Sequence, residues 1–191
     1  LSTTPRGLQS QLNSLKVCCN ELKLKVNKEK TKIMVFRKGG YLAKNEKWFY
    51  DNEVVEVVNN YTYLGFAFTT RLSYKLGTAP LVAKGKKAVH LLSRVYMKCK
   101  EMSQKTFFKI FDAKVQSILL YSSEVWGLQR LENIEKVHLL ACKRFLGIPL
   151  KSPNKLVYSE LGRYPLLINS TVRSVKYWLR LLEMEENRHS C

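Results

Sequence analysis

The feature that most constrains this chain is a change of hydrophobic period near residue 70. Before it, short apolar runs are separated by turn residues. After it, apolar residues recur only at helical spacing. Such a chain is expected to fold as an α+β protein, with an α/β part followed by a helical bundle. Its 191 residues suffice for one domain or two small ones. Folding at this size buries roughly 70% of the unfolded surface, so a proper core can form.

Thr4-Pro5 supplies a cap and a proline at the first helical position. Leu8, Leu12, Leu15, Cys19 and Leu22 then recur at steps of four and three, which predicts an amphipathic helix ending near Leu22. Leu24 and Val26, then Ile33, Val35 and Phe36, predict short strands around a turn at residues 27–30. Gly39-Gly40 breaks the chain. Trp48-Phe49-Tyr50, Asp51-Asn52 and Val54-Val55 predict a hairpin, because Asp and Asn tolerate the positive backbone angles of a tight turn. Residues 61–68 read as an aromatic-rich strand with Gly65 in its middle.

The rest reads as helix. Ala79 to Cys99 carries Leu81, Ala88, Leu91, Leu92 and Val95 on its apolar side. Ser103 caps a second helix bearing Phe107, Phe108, Phe111, Val115, Ile118 and Leu119. A third spans Leu131 to Leu146 and stops at Gly147 and Pro149. A short helix follows Ser152-Pro153 and runs to Leu161. Pro165 opens a last one with Val172, Val175, Trp178, Leu179 and Leu182. Trp178, Tyr121 and Trp126 are expected in the core, with base stacking by Tyr177-Trp178 as the alternative.

Charge is the first functional clue. Lysine and arginine number 33 against 15 acidic residues, a net charge of +18. The commonest polyanion to match that excess is nucleic acid; the competing reading is a cationic surface with no specific partner. Lys84, Lys86, Lys87, Arg94, Lys98, Lys100, Lys105, Lys109 and Lys114 meet only Glu101 and Asp112 over the same stretch. They are candidate phosphate contacts, which hold a duplex without reading its bases. Lys143, Arg144, Arg163, Arg173, Lys176 and Arg180 carry the positive character to the C-terminus.

The five cysteines are odd in number and irregularly spaced, which suggests neither a disulfide framework nor a zinc knuckle. Cys18, Cys99 and Cys142 fall in helical apolar patterns and read as buried thiols of a reducing compartment. His90, His138 and His189 lie apart from any ligand cluster. No apolar run reaches the ~20 residues of a membrane span, and we expect an intracellular, nuclear or cytoplasmic protein. The chain opens on Leu1 without methionine and reads as cut from something longer. Asp51 and Asp112 are the only aspartates, far apart in sequence. A two-metal phosphoryl-transfer site needs clustered carboxylates, so no metal or cofactor is expected in this chain.

Four segments, in order, resemble the reverse transcriptases of LINE-type (non-LTR) retrotransposons, and together they cover nearly the whole chain. LSTTPRGLQSQL resembles the helix after the catalytic hairpin, and LKVNKEKTKIMVF (residues 24–36) the stretch that follows it. YTYLGFAF (61–68) is similar to the primer-grip strand. ILLYSSEVWG (118–127), CKRFLG (142–147) and ELGRYP (160–165) are similar to the thumb and post-thumb region. The resemblance implies that residues 1–70 are the C-terminal part of a polymerase palm, 71–128 a thumb-like helical domain and 129–191 a helical post-thumb segment. It implies a parent RNA-directed DNA polymerase with magnesium ions and an RNA template, a DNA primer and their hybrid as partners. The fingers, the first palm motifs and the paired aspartates would lie upstream. Tyr63, Leu64 and Gly65 would be the primer grip, against the alternative of a core strand with a glycine kink. Lys30 would be the parent's general acid toward pyrophosphate, against the alternative of one solvated lysine among Lys23, Lys25, Lys28 and Lys32. A domesticated nucleic-acid-binding module without catalysis, or a remnant without function, are the rival readings.

Overall fold

Thr4 is extended and its hydroxyl accepts a hydrogen bond from the Gly7 N–H at 3.1 Å, so the cap read from sequence starts helix α1, Pro5–Glu21. The computed structural model describes residues 1–37, 39–40, 46–63, 65–99, 101–130 and 132–184. The chain forms two compact units. The first comprises Leu1–Thr62 and Phe68–Ser73, the second Tyr63–Ala67 and Tyr74–Cys191.

In the first unit α1 buries Leu12 and Cys19. Trp48 donates its indole N–H to the Pro5 carbonyl at 2.9 Å, and the Gln9 amide pairs in both directions with the backbone of Phe49. Strands β1 (Phe49–Tyr50) and β2 (Glu53–Val54) form the expected antiparallel hairpin. Asp51 and Asn52 turn it with φ of +53° and +62°, the pair of left-handed residues that a two-residue turn matched to strand twist demands. Leu12, Ile33, Trp48, Tyr50 and Val55 make a small core.

Two expectations for this region need correction. Residues 24–26 and 33–36 form no strands; Ile33 alone makes an isolated parallel bridge to Val57. A strand needs a neighbour to extend its ladder, and the unit provides one only at Ile33. Residues 61–68 are not one strand. Residues 61–63 and 66–68 belong to the two strands of a second sheet, β3 (Asn60–Tyr63) and β4 (Phe66–Thr69). Gly65 sits between them with φ of +84°, an angle that reverses a strand instead of continuing it.

In the second unit a short helix α2 (Tyr74–Gly77) leads into α3 (Ala79–Lys98). Ser103 caps α4 (Gln104–Ile110) by accepting from the Thr106 N–H at 3.2 Å. The helix continues as a π-helical segment, Phe111–Gln116, and then α5, Ser117–Leu119. Next come α6 (Ser123–Trp126), α7 (Glu132–Leu146), α8 (Asn154–Leu161) and α9 (Leu166–Leu182). Residue 131, read as the start of α7, lies outside the described residues. One core joins Val89 and Leu92 of α3 to Phe107, Phe108, Phe111, Val115, Leu119, Val137, Cys142, Val157 and Leu166. Each such side chain fully withdrawn from water contributes ~1.5–3 kcal/mol.

The helix limits follow the sequence, but two helices turn a different face inward. On α3 the buried line is Leu81, Gly85, Val89 and Leu92, while Leu91 and Val95 are exposed. A Cβ on Gly85 would lie 2.5 Å from Leu119 Cδ2; the helix is drawn in at the one place where it has no side chain. On α9 the buried residues are Leu166, Ser170 and Ser174. Val172, Val175, Leu179 and Leu182 face outward, and Trp178, expected in the core, is 59% exposed. Ser170 and Ser174 donate to the carbonyls of Gly127 and Ser123 at 3.1 and 2.8 Å. A Cβ on Gly127 would meet the Ser123 and Ser170 carbonyl oxygens at 2.4 Å each. Small residues let α6 and α9 meet backbone to backbone, and that contact outcompetes the larger apolar face.

No helix among the described residues is long and apolar enough to cross a membrane.

Candidate nucleic-acid interface

From Val57 to Lys100 the sequence carries no side-chain carboxylate, and α3 lies wholly within that stretch. Its candidate cations Lys84, Lys86, Lys87, Arg94 and Lys98 are all exposed. None of them makes an ion pair among the described residues. A helix turns about 100° per residue and rises about 1.5 Å. Lys84, Lys87, Arg94 and Lys98 therefore share one sector roughly 80° wide and ~21 Å long. The exposed Leu91 lies within it. Lys86 stands about 100° away, on the side of His90, whose Nδ1 contacts Arg144 Nη1 at 2.9 Å. The structure thus groups four of the five α3 cations and sets the fifth apart.

The first unit contrasts with this helix. Lys16 and Lys28 reach Asp51 at 2.8 and 3.6 Å, Lys28 also reaches Glu53 at 2.8 Å, and Lys32 pairs with Glu56. The Lys16 hydrogen bond and charge, joined by Lys28, hold the Asp51 carboxyl below its ordinary value. The hydrogen bond to Glu53 raises Lys28. Three of the six lysines between residues 16 and 32 are thus matched locally.

Several cations expected to extend the surface toward the C-terminus are turned inward instead. Lys143 is buried and donates to the Leu150 carbonyl at 2.7 Å and to Asn154 Oδ1 at 2.8 Å. Arg173 donates to the Leu120 carbonyl at 3.2 Å. Arg163 forms a two-pronged pair with Asp112, at 2.5 and 3.2 Å, over the rings of Phe108 and Phe111. Its Nε donates to His138 Nε2 at 3.2 Å. The His138 proton is thereby fixed on Nδ1, which donates to Glu135 Oε1 at 3.0 Å. Tyr158 donates to the same oxygen, and the Leu166 N–H to Glu135 Oε2 at 2.8 Å.

This chain of groups resembles acid–base machinery in composition only. His138 is fully buried, and both of its ring nitrogens are engaged. Burial pushes the Glu135 carboxyl up, but hydrogen bonds from His138, Tyr158 and Leu166 outweigh it and leave the group below its ordinary value. Burial, then Glu135, pushes the Tyr158 hydroxyl up. The network ties the π-helical segment, α7 and α8 together, and His138 is a core histidine with both ring nitrogens satisfied. The Glu135 and Tyr158 side chains also line a cleft of about 430 Å³ with Trp126, Ile134 and Leu166. The network is not legible in the sequence, because Asp112 and Arg163 are distant along the chain and each looks like surface charge.

The residues of the resemblance fall as follows. Tyr63 is exposed at the end of β3 and Gly65 lies in the turn; residue 64 lies outside the described residues. Lys30 is exposed; its N–H is held by Asn27 Oδ1 at 3.0 Å, and its carbonyl accepts from the Tyr61 hydroxyl at 3.3 Å. Asp51 is engaged by Lys16 and Lys28 in the first unit, and Asp112 by Arg163 in the second. Among the described residues no group of three or more His, Cys, Asp or Glu is placed to hold a metal ion. Of the cysteines read as buried, Cys142 is buried, its thiol pushed up to about 12 by desolvation. Cys18 and Cys99 are exposed, and Cys19 is buried in place of Cys18, since α1 faces inward along Leu12 and Cys19. Tyr121, also expected in the core, is 43% exposed.

Comparison with protein-family models, with curated proteins and with solved structures finds no match to this chain.

Proposed function

We propose that this chain is a nucleic-acid-gripping part of a LINE-type reverse transcriptase, spanning the end of the palm, a thumb and a post-thumb segment. It holds the backbone of an RNA–DNA hybrid and does not polymerise by itself. The family reading rests on the four ordered segments in the sequence. The binding reading is carried by one observation, the acid-free stripe of Lys84, Lys87, Arg94 and Lys98 on α3. Its ~21 Å length matches about six phosphate steps along one strand of a duplex. Lysine and arginine that meet only phosphates grip any sequence and let it slide, which is what a thumb must do. The reading places the chain inside the cell, in the nucleus or cytoplasm, where such hybrids form.

The test is binding of a labelled RNA–DNA hybrid across a salt series. We expect log K to fall linearly with log salt, with about 0.9 of slope per phosphate contact. Binding that is absent at low salt sinks the proposal. Primer extension with magnesium, template and nucleotides should give no product, because the chain encodes no paired aspartates; template-dependent extension by the pure chain sinks that half.

A further inference from the structure

A cleft of about 360 Å³ within the second unit is lined by Gly65, Leu81, Lys84, Ser117, Ile118 and Tyr121. Its volume falls in the range of ligand sites, roughly 300–1,000 Å³. Three features build it. Gly85 lets α3 close on Leu119, which sets Lys84 beside the helix that carries Ser117 and Ile118. Gly65 lacks a side chain where a Cβ would sit 3.8 Å from the Tyr121 ring, so the ring is left open. The Tyr121 carbonyl accepts the Trp126 indole N–H at 3.1 Å, and Ser122 beyond it is left-handed at φ of +55°. A non-glycine residue held in that region marks a backbone fixed by its surroundings, and the π-helical segment just before the cleft is of a kind frequent at functional sites.

We infer that this cleft takes one nucleotide of an unpaired or splayed strand, with its base stacked on Tyr121 and its phosphate against Lys84. Lys84 also begins the α3 stripe, so the strand bound there leads into the cleft. The inference rests on the nucleic-acid reading and adds to it a specific site for a base. An apolar ligand would leave the Lys84 charge unused, and a free phosphate would leave the ring unused; a nucleotide engages both.

The test uses the full chain and a short single strand carrying one 5-iodouracil, which photocrosslinks to aromatic rings it stacks on. The expected crosslink maps to Tyr121. Tyr121→Ala should abolish it and weaken binding by roughly 5- to 150-fold, the equivalent of one base–aromatic stack. Tyr121→Phe should retain both, and a circular-dichroism melt should show both variants folded. Lys87→Gln should lower affinity without moving the crosslink. Salt-dependent binding with crosslinks elsewhere and a Tyr121→Ala variant that binds like the parent would overturn the cleft and leave the α3 stripe standing. A chain that binds the RNA–DNA hybrid but not the single strand overturns the cleft alone, and a chain that binds neither overturns both.

Discussion

Lys86 and Lys87 are adjacent, chemically identical and both exposed, yet about 100° of helical turn separates them. That separation makes them the sharpest probe of the α3 stripe. Neutralising either residue to glutamine removes one unit of charge from a chain of net +18, so any effect of overall charge is the same for both. If only the stripe touches phosphate, Lys87→Gln removes one contact and Lys86→Gln removes none. Four stripe contacts give a slope of about −3.6 in log K against log salt, or about a 150-fold loss of affinity between 50 and 200 mM salt. Losing Lys87 reduces the slope to about −2.7 and the loss to about 40-fold. Losing Lys86 leaves both as in the parent. The assay is fluorescence anisotropy with a labelled RNA–DNA hybrid at four or five salt concentrations. Equal changes of slope for the two variants would show that bulk charge, not this face, sets binding, and no change for either would remove α3 from the interface.

Other outcomes follow from the packing. Gly127→Ala drives a methyl group into two backbone carbonyls and should cost about 1–3 kcal/mol in urea unfolding, with unchanged stability as the refuting result. Arg163→Met leaves Asp112 and His138 Nε2 without their donor and should destabilise by about 1–3 kcal/mol; Lys105→Met, on the exposed side of α4, serves as the neutral control. Glu135 titrates below its ordinary value of 4.5, so its contribution is complete above that pH and disappears as pH falls through the lower folded value. Glu135→Gln should flatten that acid limb of the stability curve, and an unchanged limb would assign it to other carboxylates. Trp48 and Trp126 are buried and Trp178 is exposed; acrylamide should quench the parent strongly and the Trp178→Phe variant weakly.

Most helix limits could be read from the sequence because they are set locally. Ser103 caps α4, Pro165 immediately precedes α9, and Gly147 and Gly162 follow α7 and α8 in left-handed conformation. The Asp51-Asn52 hairpin is local in the same sense. Its strands could be read, whereas residues 24–36 could not, since a strand exists only where another strand meets it. The candidate site was legible as a list of cations and not as a surface. Lys84, Lys87, Arg94 and Lys98 stay together on α3, while Arg163 and Arg173 are drawn into the fold by partners at distant positions and Lys143 by the loop and helix that follow α7.

The sequence by itself determined where the helices begin and end, where the first hairpin turns, and that one long stretch carries positive charge without any acid to offset it. Each depends on a few neighbouring residues and the angles or charges they impose. Only the tertiary structure decided which side of each helix faces inward. Gly85 and Gly127 are silent in a count of apolar residues, yet they permit the closest backbone approach, and close approach fixes helix rotation. From that rotation follow the exposed α3 stripe and the uncovered apolar side of α9.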